Sequence, residues 1–181
     1  MLLEETLVPG KVDWRGRPAK KDKHGGNFSS LFILALYGMD SFATLALAVN
    51  ISTYFFDVMH FDLNESTKVL TDFLGTSYIL TIVAAYVSDA LLARYKVILI
   101  SASIEILGLI LLTVQAKTKT LKPTQCINPF DPTCEKVHGS DSAFLYISIY
   151  LIAIGTAGIK ACVPTHGADQ FDEDNPKEAK N

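Results

Sequence analysis

Four apolar stretches, each about as long as a bilayer core is thick, limit what this chain can fold into more than any other feature. They cover residues 31–56, 71–88, 97–116 and 143–163, and each is bounded by charges or by proline. A soluble domain alternates short apolar and polar segments, whereas here the polar residues collect between the apolar runs. The chain therefore reads as an all-α membrane protein. Residues 1–30 form a tail, residues 31–168 a four-helix transmembrane part, and residues 169–181 the truncated start of a further loop. Nucleic acid is excluded as a partner, because no basic patch with interleaved aromatics occurs outside the short tail. Residues 1–10 carry Glu4 and Glu5 and lack an apolar core ending in a cleavage site, so the first span must act as its own insertion signal.

Orientation follows from basic residues near the span ends. The tail holds Lys11, Arg15, Arg17, Lys20, Lys21 and Lys23, while the first hairpin, residues 57–68, holds only Lys68. The expected topology has a cytosolic N-terminus, with Arg94, Lys96, Lys177 and Lys180 on the same side. Lys117, Lys119, Lys122 and Lys136 in the third loop are exceptions to the rule. That topology places Cys126 and Cys134 in an oxidising space, either as a bridge across a proline-containing loop or as two free thiols. Asn64, Glu65 and Ser66 match a glycosylation acceptor pattern, close to the membrane edge.

A charge at membrane depth costs at least about 2.5 kcal/mol, so such residues face a bundle interior and find partners. Asp40, Glu105 and Lys160 are of this kind. Asp40 and Glu105 lie about nine and eight residues above the cytosolic ends of their spans, roughly 12 to 14 Å deep. Lys160 reaches their level if the fourth helix continues past Pro164 to Ala168 rather than stopping at Val163. One lysine cannot neutralise two carboxylates, so one acid is left to take up and release a proton. The alternative is a fixed pair of Lys160 with one acid, the other acid facing a water-filled cavity. Tyr37, one turn before Asp40, is a candidate for substrate or proton contact, or a packing residue. Gly38, Gly75, Gly108, Gly155 and Gly158 permit close helix approach. Asp89 and Arg94 flank a tight loop where an acid and a base serve the ends of two antiparallel helices.

The loop AAYVSDALLARYKVI at residues 84–98 resembles the signature of the proton-dependent oligopeptide transporter family, within the major facilitator superfamily. GIKACVPTHGADQFDEDNP at 158–176 resembles the end of that family's fourth helix, and DWRGRPAKKDKHGG at 13–26 resembles the tail of its plant branch of nitrate and peptide transporters. SASIEILGLILLT at 101–113 is similar to the plant subgroup that includes abscisic acid and nitrate importers. The resemblance covers nearly the whole chain.

It implies twelve spans in two halves, alternating access, and proton-driven import, with these four helices equivalent to the first four of a major facilitator fold. It implies a transporter and not an enzyme; no cofactor or metal is expected, and plasma and vacuolar membranes are both compatible, since the sequence holds no clear address signal. Family members carry E-x-x-E-R on the first helix and a lysine on the fourth. The matching positions here are Tyr37, Asp40 and Ser41, with Lys160 as the lysine, so Asp40 keeps the second acid one methylene shorter and Glu105 could replace the first. Ala93 stands for the usual loop glycine and Val97 for a frequent threonine, which removes a phosphorylation switch. Four helices supply neither a complete first bundle nor any of the second, so these residues alone are expected not to transport. The implied partners are the bilayer, protons and a small solute such as nitrate, a peptide or a hormone-like acid. A short form that binds or regulates a full-length relative is the alternative.

Overall fold

A computed structural model describes residues 7–13, 15–20, 25–123 and 139–170. Four helices dominate: α1 (Asn27–Asp57), α2 (Leu63–Ala90), α3 (Arg94–Lys117) and α4 (Ser140–Ala168). All four are long and apolar enough to cross a membrane. At about 1.5 Å per residue even the shortest exceeds the roughly 30 Å of a hydrocarbon core. Each helix extends beyond the apolar run that announces it, because its polar end residues continue the backbone ladder into the interfacial region. α4 runs through Pro164 to Ala168. Proline lacks the N–H that would donate to the carbonyl four residues back, so the ladder skips one bond there without the helix ending.

The chain divides into two compact units, one of Met39–Cys162 and one of Met1–Gly38 with Val163–Asn181. In the larger unit the core gathers Ile51 and Phe55 of α1, Met59 of the following turn, Phe73 of α2, and Leu145, Ile149, Ile152 and Ala153 of α4. Side chains such as Leu45, Val49, Ile79, Ile82, Ile106 and Ile110 point outward and stay exposed. In water such a surface would drive aggregation, whereas in lipid it costs nothing. Polar bonds fasten the helix ends. Tyr54 Oη donates to Gln115 Oε1 at 2.7 Å, and the fully buried Gln115 donates from Nε2 to the Leu121 carbonyl at 3.1 Å. The Asp62 N–H donates to Glu65 Oε2 at 3.3 Å, part of a capping box at the start of α2. Ser66 of the acceptor pattern lies in that first turn and is fully buried, so its hydroxyl does not present itself at the surface.

α3 meets α4 almost backbone to backbone. A Cβ added at Gly155 would stand 2.6 Å from the Glu105 nitrogen, and one at Gly108 would stand 2.9 Å from the Ile152 nitrogen. A Cβ at Gly158 would collide with Ser101 Oγ. Three of the five span glycines are therefore packing residues at this contact, while Gly38 and Gly75 have nothing within 4 Å among the described residues.

In the smaller unit, β1 (Leu7–Val12) pairs antiparallel with β2 (Pro18–Lys20). The apolar-period reading leaves this tail without regular structure. A local hydrogen-bond set makes it a hairpin: Asp13 Oδ1 accepts the N–H groups of Arg15 and Arg17, each at 2.8 Å, and Gly16 takes a φ of 77°. The start of α1 is tied to the residues after α4, since the Gly26 N–H donates to the Gln170 carbonyl at 2.7 Å and Ser29 Oγ to Gln170 Oε1 at 3.3 Å. Cys126 and Cys134 lie outside the described residues.

Gly155→Ala should destabilise the chain by about 1–3 kcal/mol, because the contacting atoms are backbone and cannot yield. Gly75→Ala should be neutral or stabilising by up to about 1 kcal/mol, since a helical glycine in open space only adds chain entropy. Denaturant titration of both variants in detergent micelles checks the contrast.

Candidate functional site

The larger unit brings Asp40 of α1, Glu105 of α3 and Lys160 of α4 together. Lys160 acts electrostatically on both carboxylates, and the carboxylates act on each other. The Gly155 contact explains how Glu105 comes to be there, because it presses the backbone of residue 105 against α4 and leaves the side chain only 9 % exposed. Thr156, next in sequence to that glycine and fully buried, donates its one hydroxyl hydrogen to the Ile152 carbonyl of its own helix at 2.6 Å, leaving its oxygen as an acceptor beside Glu105.

No direct ion pair within 4.0 Å closes the group among its three members. The Lys160 ammonium instead lies over the Tyr78 ring of α2, 5.2 Å from its centroid. An aromatic face holds a cation without neutralising it, so the lysine remains electrostatically available to both acids. One oxygen of each acid, Asp40 Oδ2 and Glu105 Oε2, is buried without a hydrogen-bond donor. A buried oxygen of this kind costs about 1–3 kcal/mol unless something donates to it.

Sequence reasoning missed Tyr78 and Thr156. Tyr78 sits inside an apolar run, where an aromatic carries no special signal. Thr156 could have been found as a polar residue wedged between Gly155 and Gly158 on the face that carries Lys160. Tyr37 belongs to the other compact unit and is half-buried there.

Arg94 donates to Asp89 Oδ1 from Nε at 3.3 Å and from Nη2 at 3.1 Å. Asp89 is at the C-terminal end of α2 and Arg94 opens α3, so each is unfavourably placed against its own helix dipole. Pairing across the loop offsets both. With the side chains 33 % and 62 % exposed, the pair contributes at most about 1 kcal/mol and sets geometry more than stability. Ala93 precedes α3 at φ −62°, so this loop needs no glycine there, and Val97 is buried in α3. A separate open cavity of about 280 Å³ lies between α2 and α4, where Glu65, Lys68 and Asp72 face Tyr146 and Tyr150.

Comparison with known proteins addresses the family of the chain. The chain is 43 % identical over 177 residues to Protein NRT1/PTR FAMILY 4.6 of Arabidopsis thaliana, covering 98 % of this chain and 30 % of that protein. It is 42 % identical over 171 residues to Protein NRT1/PTR FAMILY 4.5 of the same plant, covering 94 % of this chain and 30 % of the relative. A sequence profile of the POT family matches residues 95–181. The chain belongs to the POT family. It is a multi-pass membrane protein with the helical fold of that major facilitator-like family. It spans about 30 % of the length of the POT-family relatives it matches.

If Tyr78 holds Lys160, a double-mutant cycle of Tyr78→Leu with Lys160→Met should return a coupling of about 0.5–1 kcal/mol, the size expected of a partly exposed cation–π contact. Tyr78→Phe should retain the coupling. Unfolding of the four variants in micelles supplies the numbers.

Proposed function

We propose that this chain provides proton-coupling helices of a transporter that imports a small solute such as nitrate, a peptide or a hormone-like acid. The observation that carries the reading is the pair of buried carboxylate oxygens without donors beside a single lysine. Two carboxylates and one ammonium sum to one negative charge, which is costly in an apolar bundle. One proton bound at Asp40 or Glu105 brings the group to neutrality. A second leaves the Lys160 charge unbalanced, and an anionic group of a solute can then answer it. Release of protons on the far side reverses the preference and expels the anion. The departure of Tyr37 and Ser41 from the family's first-helix pattern is accommodated by Glu105, which supplies the missing first acid from α3. The concentration of basic residues ahead of α1 supports a cytosolic N-terminus.

Grafting residues 1–181 in place of the matching segment of the NRT1/PTR FAMILY 4.6 protein gives a full-length carrier for the test. The graft should support uptake driven by an inward proton gradient, and neutralising Asp40→Asn with Glu105→Gln should abolish that drive while Asp72→Asn leaves it intact. Unchanged pH-driven uptake in the doubly neutralised graft would refute the proposal.

A further inference from the structure

The hairpin ahead of α1 is used by nothing described so far. Residues 11–23 hold six basic residues, Lys11, Arg15, Arg17, Lys20, Lys21 and Lys23, against two acidic ones, Asp13 and Asp22. Arg15, Arg17 and Lys20 are exposed. In the turn that carries the arginines, the Arg15 and Arg17 main-chain N–H groups both donate to Asp13 Oδ1. Between the strands, in the sequence Asp13-Trp14-Arg15-Gly16-Arg17, stands the chain's one tryptophan. Tryptophan beside arginine is the composition that settles at a membrane–water interface. Six residues, 21–26, separate β2 from α1, which tethers the hairpin within roughly 20 Å of the point where that helix starts.

We infer that this hairpin binds anionic phospholipid headgroups of the leaflet at which α1 begins, with Arg15, Arg17 and Lys20 on the phosphates. The inference rests on the membrane fold and not on transport. Clustered basic residues beside a spanning helix gain their attraction from the negative surface of such a leaflet, and the attraction fades within a Debye length.

The native tryptophan is the probe. The 181-residue chain is placed in nanodiscs of phosphatidylcholine, or of phosphatidylcholine with phosphatidylserine, and Trp14 emission is quenched with brominated lipid. Quenching and a blue shift should be stronger in the anionic discs and should be reversed by high salt. In Arg15→Gln/Arg17→Gln/Lys20→Gln the docked-to-undocked ratio should fall roughly a hundredfold, about fivefold for each charge removed. Equal quenching in the two lipids, or salt-insensitive quenching in anionic discs, overturns the inference without any substitution. So does a triple variant that docks as well as the parent. A soluble inositol phosphate that shifts Trp14 in neutral discs as far as anionic lipid does would assign the hairpin to a free anion and overturn the lipid reading.

Discussion

The close approach of α3 to α4 at Gly155 is the contact on which the rest of the larger unit depends. Without a side chain at that position, the backbone of residue 105 comes up against α4, and an ionisable group that a lone apolar helix could not carry cheaply is set opposite Lys160. Gly108 and Gly158 extend the same seam in both directions, so the approach is a line of contact and not a single point. The core cluster around Phe55, Phe73 and Ile149 then fills the space beside it with α1 and α2.

The charged members of the group are held without a direct ion pair among them. A buried ion pair between Lys160 and one acid would fix the helices and lock the ammonium, at a desolvation cost that its attraction often fails to recover. Holding Lys160 over Tyr78 avoids that lock, and the neutral Thr156 hydroxyl beside Glu105 adds no charge. The result is a group whose members sense each other's charge and still have oxygens to offer.

Much of this was legible in the sequence. The four spans follow from the length of the apolar runs, and Asp40, Glu105 and Lys160 stand out because a charge inside such a run has few tolerable surroundings. The tight loop between α2 and α3 announced Asp89 and Arg94, although their pairing with each other, as opposed to a helix end or a lipid phosphate, needed coordinates. Glycines were harder to read: Gly108 and Gly155 line the α3–α4 seam while Gly75 faces open space, and nothing local distinguishes them. Tyr78 was hidden because its role depends on which helix lies opposite. The hairpin in the tail was hidden because it depends on one Asp13 side chain bonding two backbone groups, a signal shorter than any period. Features set by apolar length were readable, and features set by which helix faces which were not.

Infrared spectroscopy of the chain in lipid at neutral pH can detect a protonated carboxyl in the bundle. The C=O stretch of a protonated acid should persist in Asp72→Asn and vanish in Asp40→Asn/Glu105→Gln. Absence of that band in the parent chain, or its survival in the doubly neutralised variant, would show that the Asp40–Glu105–Lys160 group holds no proton.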